Sequence, residues 1–340
     1  MGDLRGSRVA LSRGRGRFLA VSAAMTMSMF GLSGPADAVP RCWGERATIV
    51  GTDESNSLVG TPGRDVIVGL GGWDYINGRG GNDLICGNEG DDALRGGRGA
   101  DKISGGTEED LIDGNRGADR LSGGVDPDDI SGGAGEDIIR GGGGGMDSAY
   151  FTGSSHVTAN LTTGWASGQG RDKLIGIENL SGLQSGGATT FIGNDRRNIF
   201  LGGEGRTILE GRGGNDRLNL DSWERHRDVV KGGRGNDSLS FQCNGGLGND
   251  TFTGGSGVDI LSYCGPGISA DLAAGTVTGA GQGNDSVGGI ENLVGTADDD
   301  TLLGSSADNY LDGFDGTDTI DGRGGQDTCR NGENVSNCEA

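Results

Sequence analysis

Gly69-Leu70-Gly71-Gly72-Trp73-Asp74-Tyr75-Ile76-Asn77 is followed at once by Gly78-Arg79-Gly80-Gly81-Asn82-Asp83-Leu84-Ile85-Cys86. The two nonapeptides share one frame, with glycines in the first half, an aspartate sixth and a branched apolar residue eighth. The frame persists outward in both directions. Asp65, Asp74, Asp83, Asp92, Asp101, Asp110, Asp119, Asp128 and Asp137 stand nine residues apart. Ile67, Ile76, Ile85, Leu94, Ile103, Ile112, Leu121, Ile130 and Ile139 each follow two residues later. A degraded first unit carries Asn56 and Leu58. A period this regular points to stacked repeats, each unable to bury its apolar side chain without a neighbour.

Within a unit, the three residues centred on Ile or Leu read as a short strand whose middle side chain points to one side. The glycine-rich part ending on Asp reads as a turn, its glycines supplying positive φ. Strand, turn, strand, turn makes a coil of eighteen residues. Stacked coils then form two parallel sheets with Ile and Leu between them. The expected fold class is all-β: parallel β-roll (β-helix or solenoid) blocks separated by β-rich spacers. No stretch shows glycine-free helical periodicity over the length of a helix, so helix content should be very low.

Stacking sorts the aspartates onto two edges. Asp65, Asp83, Asp101, Asp119 and Asp137 line one; Asp74, Asp92, Asp110, Asp128 and, after a one-residue shift, Asp147 line the other. Neighbours along an edge should sit one strand spacing apart, ~4.8 Å. Two unit charges there repel by roughly 1 kcal/mol in water, and by several-fold more when partly buried. Glycine-rich coils with one apolar anchor per nonapeptide have little burial to set against backbone ordering. Bare carboxylate columns therefore oppose folding unless cations lie between their members. Calcium suits the gap, because it takes six to eight oxygen ligands in flexible geometry and accepts carboxylate mixed with backbone carbonyl. Magnesium demands a tighter octahedron. Soft metals find neither sulfur nor imidazole in the repeat. The candidate ligands are the ten aspartates above, followed by Asp216, Asp237, Asp250, Asp259, Asp300, Asp318 and Asp327 of two looser downstream arrays.

On these residues, 51–147 resemble the nonapeptide repeats of the RTX (repeats-in-toxin), or haemolysin-type, calcium-binding family. The resemblance implies ions between turns one coil apart, held by Asp side chains and loop carbonyls. The chain departs from that family's toxins and proteases in two ways. It carries an N-terminal leader rather than a C-terminal export signal, and it shows no recognisable effector domain.

The leader is read from Arg5, Arg8, Arg13, Arg15 and Arg17, an apolar stretch from Phe18 to Leu32, and Ala36-Asp37-Ala38 as a cleavage site. That pattern predicts a signal peptide over 1–38, a secreted product and no membrane span after cleavage, the apolar stretch being too short for one. Without the leader the chain carries 23 basic and 47 acidic residues, a net charge of −24. Such a surface disfavours nucleic acid and anionic lipid as partners.

All six cysteines lie beyond the leader, which permits disulfides. Neighbours in sequence are the expected pairs: Cys42 with Cys86, Cys243 with Cys264, and Cys329 with Cys338. Zinc is disfavoured, since there is no C-x-x-C, and His156 and His226 stand apart from the cysteines.

Residues 39–50 are expected to cap the first array, 51–150. A spacer, 151–197, contains Ile177-Glu178-Asn179-Leu180. A looser array, 198–262, precedes a duplicate spacer, 263–298, containing Ile290-Glu291-Asn292-Leu293. A terminal array and cap, 299–340, closes the chain.

No catalytic constellation is recognisable, since abundant carboxylates without a cleft carry no acid–base signal. The expected function is that of a secreted calcium-binding protein that folds on binding. Its wider role would be structural or adhesive, at the cell envelope or matrix. The alternative is an accessory module for a secreted protease or polysaccharide-modifying enzyme.

Overall fold

The computed structural model describes residues 39–153, 156–185, 187–220, 226–241, 248–279 and 283–339. The leader expected over 1–38 lies outside them. The described residues contain strands and turns and no helix.

The chain winds as a solenoid of two sheets. Among the described residues one sheet has fourteen strands, all parallel, beginning with Ser57–Val59 and ending with Thr328–Arg330. The second runs from Ile49–Val50 to Asn334–Ser336. In the first array Ile67 pairs with Ile85, Ile85 with Ile103, Ile103 with Leu121 and Leu121 with Ile139. On the opposite sheet Leu58, Ile76, Leu94, Ile112 and Ile130 pair in the same way. The two apolar rows face each other and, apart from the half-buried end residue Leu58, are fully buried. The core is thus one side chain wide per sheet, as the single apolar position per nonapeptide requires. Beyond the first array, Phe191, Phe200 and Phe252 take places held earlier by Ile or Leu.

Two features differ from expectation. Many strands span six residues rather than three, as in Leu84–Glu89, Ala93–Arg98 and Lys102–Thr107. The glycine turns stack in register on the coil below, Asn88 on Gly106 and Gly97 on Asn115, so pairing continues into them. The expected cap is also split in two. Ile49–Val50 adds the end rung of its sheet. The antiparallel hairpin Arg41–Cys42 and Glu45–Arg46 instead lies on the sheet's outer face, where Cys42 joins a small cluster with Val66, Val68 and Leu84.

Each spacer interrupts only one sheet. Val157–Asn160, Trp165–Ser167 and Arg171–Ile175 pair antiparallel in succession. The first of them lies parallel to the later strand Thr189–Ile192, and the last parallel to the earlier strand Ile138–Gly144. The chain therefore steps forward and folds back before resuming its winding. On the other sheet Ser148–Gly153 passes directly to Asn179–Ser185. Ile268–Asp271, Thr276–Gly279 and Gly283–Gly288 repeat the arrangement. The inward positions of these inserts hold Val157, Ala159, Ala166 and Leu174 in the first and Ile268, Ala270, Val277 and Val287 in the second, all buried.

Cys42 and Cys86 are bonded, with Cα atoms 5.7 Å apart, and so are Cys329 and Cys338, at 5.8 Å. Cys329 occupies the apolar position, paired in register with Leu311. Cys243 lies outside the described residues, and the expected bridge to Cys264 with it.

Candidate metal centre

The two edges form continuous hydrogen-bonded ladders. The N–H of Asp65 donates to Oδ1 of Asp83 at 2.8 Å, Asp83 to Asp101 at 2.8 Å, Asp101 to Asp119 at 2.7 Å, and Asp119 to Asp137 at 2.8 Å. On the other edge Asn56 donates to Asp74 at 2.7 Å, Asp74 to Asp92 at 2.8 Å, and Asp92 to Asp110, Asp110 to Asp128 and Asp128 to Asp147 each at 3.0 Å. Each carboxylate thus spends one oxygen on the backbone of the preceding coil.

The second oxygen is different. Oδ2 of Asp74, Asp83, Asp92, Asp101, Asp110, Asp119, Asp128 and Asp137 is buried and meets no donor among the described residues, and the same holds for Oδ2 of Asp216, Asp237, Asp259, Asp318 and Asp327. A buried polar atom with no partner carries its full desolvation cost. All seventeen aspartates singled out from the sequence are buried, none more than 6% exposed. Asp65, Asp147, Asp250 and Asp300 belong to the same ladders but are not among those with an orphaned oxygen.

The first glycine of each turn explains where that oxygen points. A methyl group on Gly69 would overlap Oδ2 of Asp74 and the carbonyl oxygen of Gly87. On Gly96 it would meet Oδ2 of Asp101 and the carbonyl of Gly114, and on Gly232 those of Asp237 and Gly254. These glycines do not have positive φ, so sterics rather than backbone conformation excludes a side chain there. Beside each one, a carboxylate oxygen and a carbonyl oxygen of the next coil converge. Among the described residues no three Asp, Glu, His or Cys side chains form a metal-holding group. A ligand set drawn from the described residues would combine carboxylate with backbone carbonyl, the mixture calcium accepts.

Burial dominates the electrostatics. It raises the carboxyl of Asp83 to about 6, those of Asp92, Asp119 and Asp128 to about 7, and that of Asp110 to about 8. The backbone N–H bonds pull the other way and neighbouring carboxylates add to the rise. The columns hold negative charge at neutral pH only against a substantial penalty, which a cation would offset.

The looser arrays continue the ladders through residues absent from the expected set. Asp137 donates to Asp172 at 3.0 Å, Thr207 to Asp228 at 2.7 Å, Asp228 to Asp250 at 2.8 Å and Asp250 to Asp285 at 2.9 Å. Asn198 donates to Asp216 at 2.7 Å, Asp216 to Asp237 at 2.8 Å and Asp237 to Asp259 at 2.7 Å. In the terminal array Asp300 donates to Asp318, and Asn309 to Asp327, both at 2.8 Å. Three ladders end on a glutamate: Asp147 donates to Glu178 at 3.2 Å, Asp259 to Glu291 at 2.9 Å and Asp318 to Glu333 at 2.6 Å. The signal was available, because Glu178-Asn179-Leu180, Glu291-Asn292-Leu293 and Glu333-Asn334-Val335 form one motif.

The profile of the RTX calcium-binding nonapeptide repeat matches residues 50–85, 87–121, 113–145, 185–222, 226–241, 243–262 and 294–329, more than half of the chain. The chain belongs to the RTX calcium-binding nonapeptide-repeat family. It is a calcium-binding repeat protein with a β-roll fold. The matched segments leave out the antiparallel inserts of both spacers. No match was found among curated proteins. No helix among the described residues is long and apolar enough to cross a membrane.

Proposed function

We propose that this is an exported protein whose aspartate columns hold calcium between successive coils, and that the ion completes the fold outside the cell. The observation that carries this reading is the row of buried, donor-less Oδ2 atoms, most of them beside a carbonyl oxygen of the next coil. Asp74 through Asp137 form the most regular set, and Asp216, Asp237, Asp259, Asp318 and Asp327 repeat it. Asp65, Asp147, Asp250 and Asp300 take part as ladder members. Calcium supplies positive charge and oxygen affinity. The chain supplies preset carbonyls, one free carboxylate oxygen per turn and a backbone too rich in glycine to hold the columns together unaided.

Extracellular modules of this type work near ~10⁻⁴–10⁻³ M calcium. Folding would thus follow export through the leader at 1–38. The three arrays, 51–150, 198–262 and 299–340, would act as stiffened segments joined by the spacers at 151–197 and 263–298, in a structural or adhesive role at the envelope or matrix. Equilibrium dialysis tests binding: uptake of several ions per chain at millimolar calcium is expected, and no uptake overturns the reading. Mass spectrometry of the culture medium tests export, with a chain beginning at Val39 as the expected product.

A further inference from the structure

Two kinds of turn stand out, distinguished by their second residue. Where Oδ2 is orphaned, that residue is left-handed: Leu70, Arg79 and Asn88 have φ of 89°, 72° and 85°, and Arg212, Phe314 and Arg323 have 76°, 73° and 67°. Leucine, arginine and phenylalanine adopt this region at a steric cost. In these turns no donor among the described residues meets the free carboxylate oxygen.

Five turns are built differently. Their second residue is Thr52, Thr61, Asn194, Thr296 or Ser305, and none of these has positive φ. The N–H of that residue donates to the side-chain oxygen four residues on: Thr52 to Asn56 at 2.6 Å, Thr61 to Asp65 at 2.6 Å, Asn194 to Asn198 at 3.0 Å, Thr296 to Asp300 at 2.6 Å and Ser305 to Asn309 at 2.7 Å. The hydroxyls of Thr61, Thr296 and Ser305 add a second bond to the same side chains, at 2.9, 3.1 and 3.1 Å. Three of the five acceptors are asparagine, which brings an acceptor oxygen but no charge. The turns with a left-handed second residue and an orphaned Oδ2 carry aspartate throughout.

We propose, resting on the calcium reading above, that turns of the second kind hold no calcium and are complete without it. Their positions give this a consequence. Residues 51–65 open the first array, 193–198 the second and 295–309 the third. In the second array the next turn is also neutral, since Thr207 stands in the aspartate place and its hydroxyl donates to the carbonyls of Gly203 and Gly205. Each run of calcium turns therefore stacks on rungs that need no ion, and one of its two edges ends at a glutamate. Ion-dependent order grows from the N-terminal side of each array, and the number of ions is smaller than the number of nonapeptides.

The test is equilibrium dialysis of calcium with the full chain and with D65N, D101N and D327N. Asparagine preserves the size of the side chain, and at 65 it preserves the acceptor for Thr61. D65N should bind as many ions as the unaltered protein, whereas D101N and D327N should each lose at least one. D327N lies near the end of the solenoid and keeps the comparison usable if D101N fails to fold. Loss of an ion in D65N equal to that in the other variants overturns the inference and leaves calcium binding intact. No uptake by the unaltered protein overturns the calcium reading, and this inference with it.

Discussion

Oδ1 of Asp101 accepts the backbone N–H of Asp83 at 2.8 Å, while Oδ2 of the same carboxylate is buried and meets no protein donor. One oxygen ties a coil to the coil before it, and the other is left for something the polypeptide does not supply. Repeated at eighteen-residue spacing, this division makes the columns both the means of stacking and the obstacle to it.

The space beside the first glycine of a turn should be intolerant of a single methyl group. Gly96→Ala places it against Oδ2 of Asp101 and the carbonyl of Gly114, although φ there is ordinary. A loss on the order of 2 kcal/mol or more is expected, from overpacking and from an oxygen pair forced apart. Gly143 is the control, having open space around it. Gly143→Ala should stay within about 0.5 kcal/mol of the unaltered protein. Urea melts of both variants in calcium would show the difference.

Acid should partly replace calcium. The carboxyls of Asp83, Asp92, Asp110, Asp119 and Asp128 rise in the fold to between about 6 and about 8. An unfolded chain titrates them near ~3.9. Groups raised in this way favour the fold fully below the unfolded value and lose that contribution as pH climbs through the folded values. In chelator, strand signal should therefore be stronger at pH 5 than at pH 8 and decline between pH 6 and 8. Strand signal that instead increases with pH in chelator would contradict the burial of these columns.

Glu178 should be needed to terminate the first array. Its carboxylate accepts the N–H of Asp147 at 3.2 Å across the spacer. Glu178→Ala removes that acceptor at a cost of about 1–3 kcal/mol, the usual penalty for a buried N–H left unpaired. Glu178→Gln retains an acceptor and should lose less. Hydrogen exchange at the Asp147 amide distinguishes the two variants.

The Cys42–Cys86 bond closes a 44-residue separation and pins the outer hairpin to the sheet. Its reduction should lower stability by about 4 kcal/mol on the chain-entropy scale. Thermal melts with and without reductant at fixed calcium would measure it, with Cys42→Ser as a check that this bridge is responsible.

The nine-residue period made the winding legible, because one Asp and one Ile or Leu per unit fix which residues stack and which face the core. The division of aspartates between two edges follows directly from that period. The spacers were visible only as a duplication. Their antiparallel inserts depend on pairings between Val157–Asn160 and a strand that comes later in the chain, which no local pattern encodes. Asp172 and Glu178 escaped the ligand set because the ladder spacing there jumps from eighteen to 35 and 31 residues. The role of the first glycine is not the positive φ expected of turn glycines. It is instead a matter of space, since the carbonyl that would clash with a methyl group lies one coil away. Thr61 and Thr296 stood in plain view, but their meaning depends on a φ value and a hydrogen bond that only the folded turn defines.

Calcium titration of the metal-free protein at pH 7.5, followed by far-ultraviolet circular dichroism, tests the central claim most directly. Calcium-coupled folding predicts strand signal that appears near ~10⁻⁴–10⁻³ M calcium, disappears on chelation, and is lost when Asp83 and Asp101 are both changed to Asn. A spectrum indifferent to calcium across that range would contradict it.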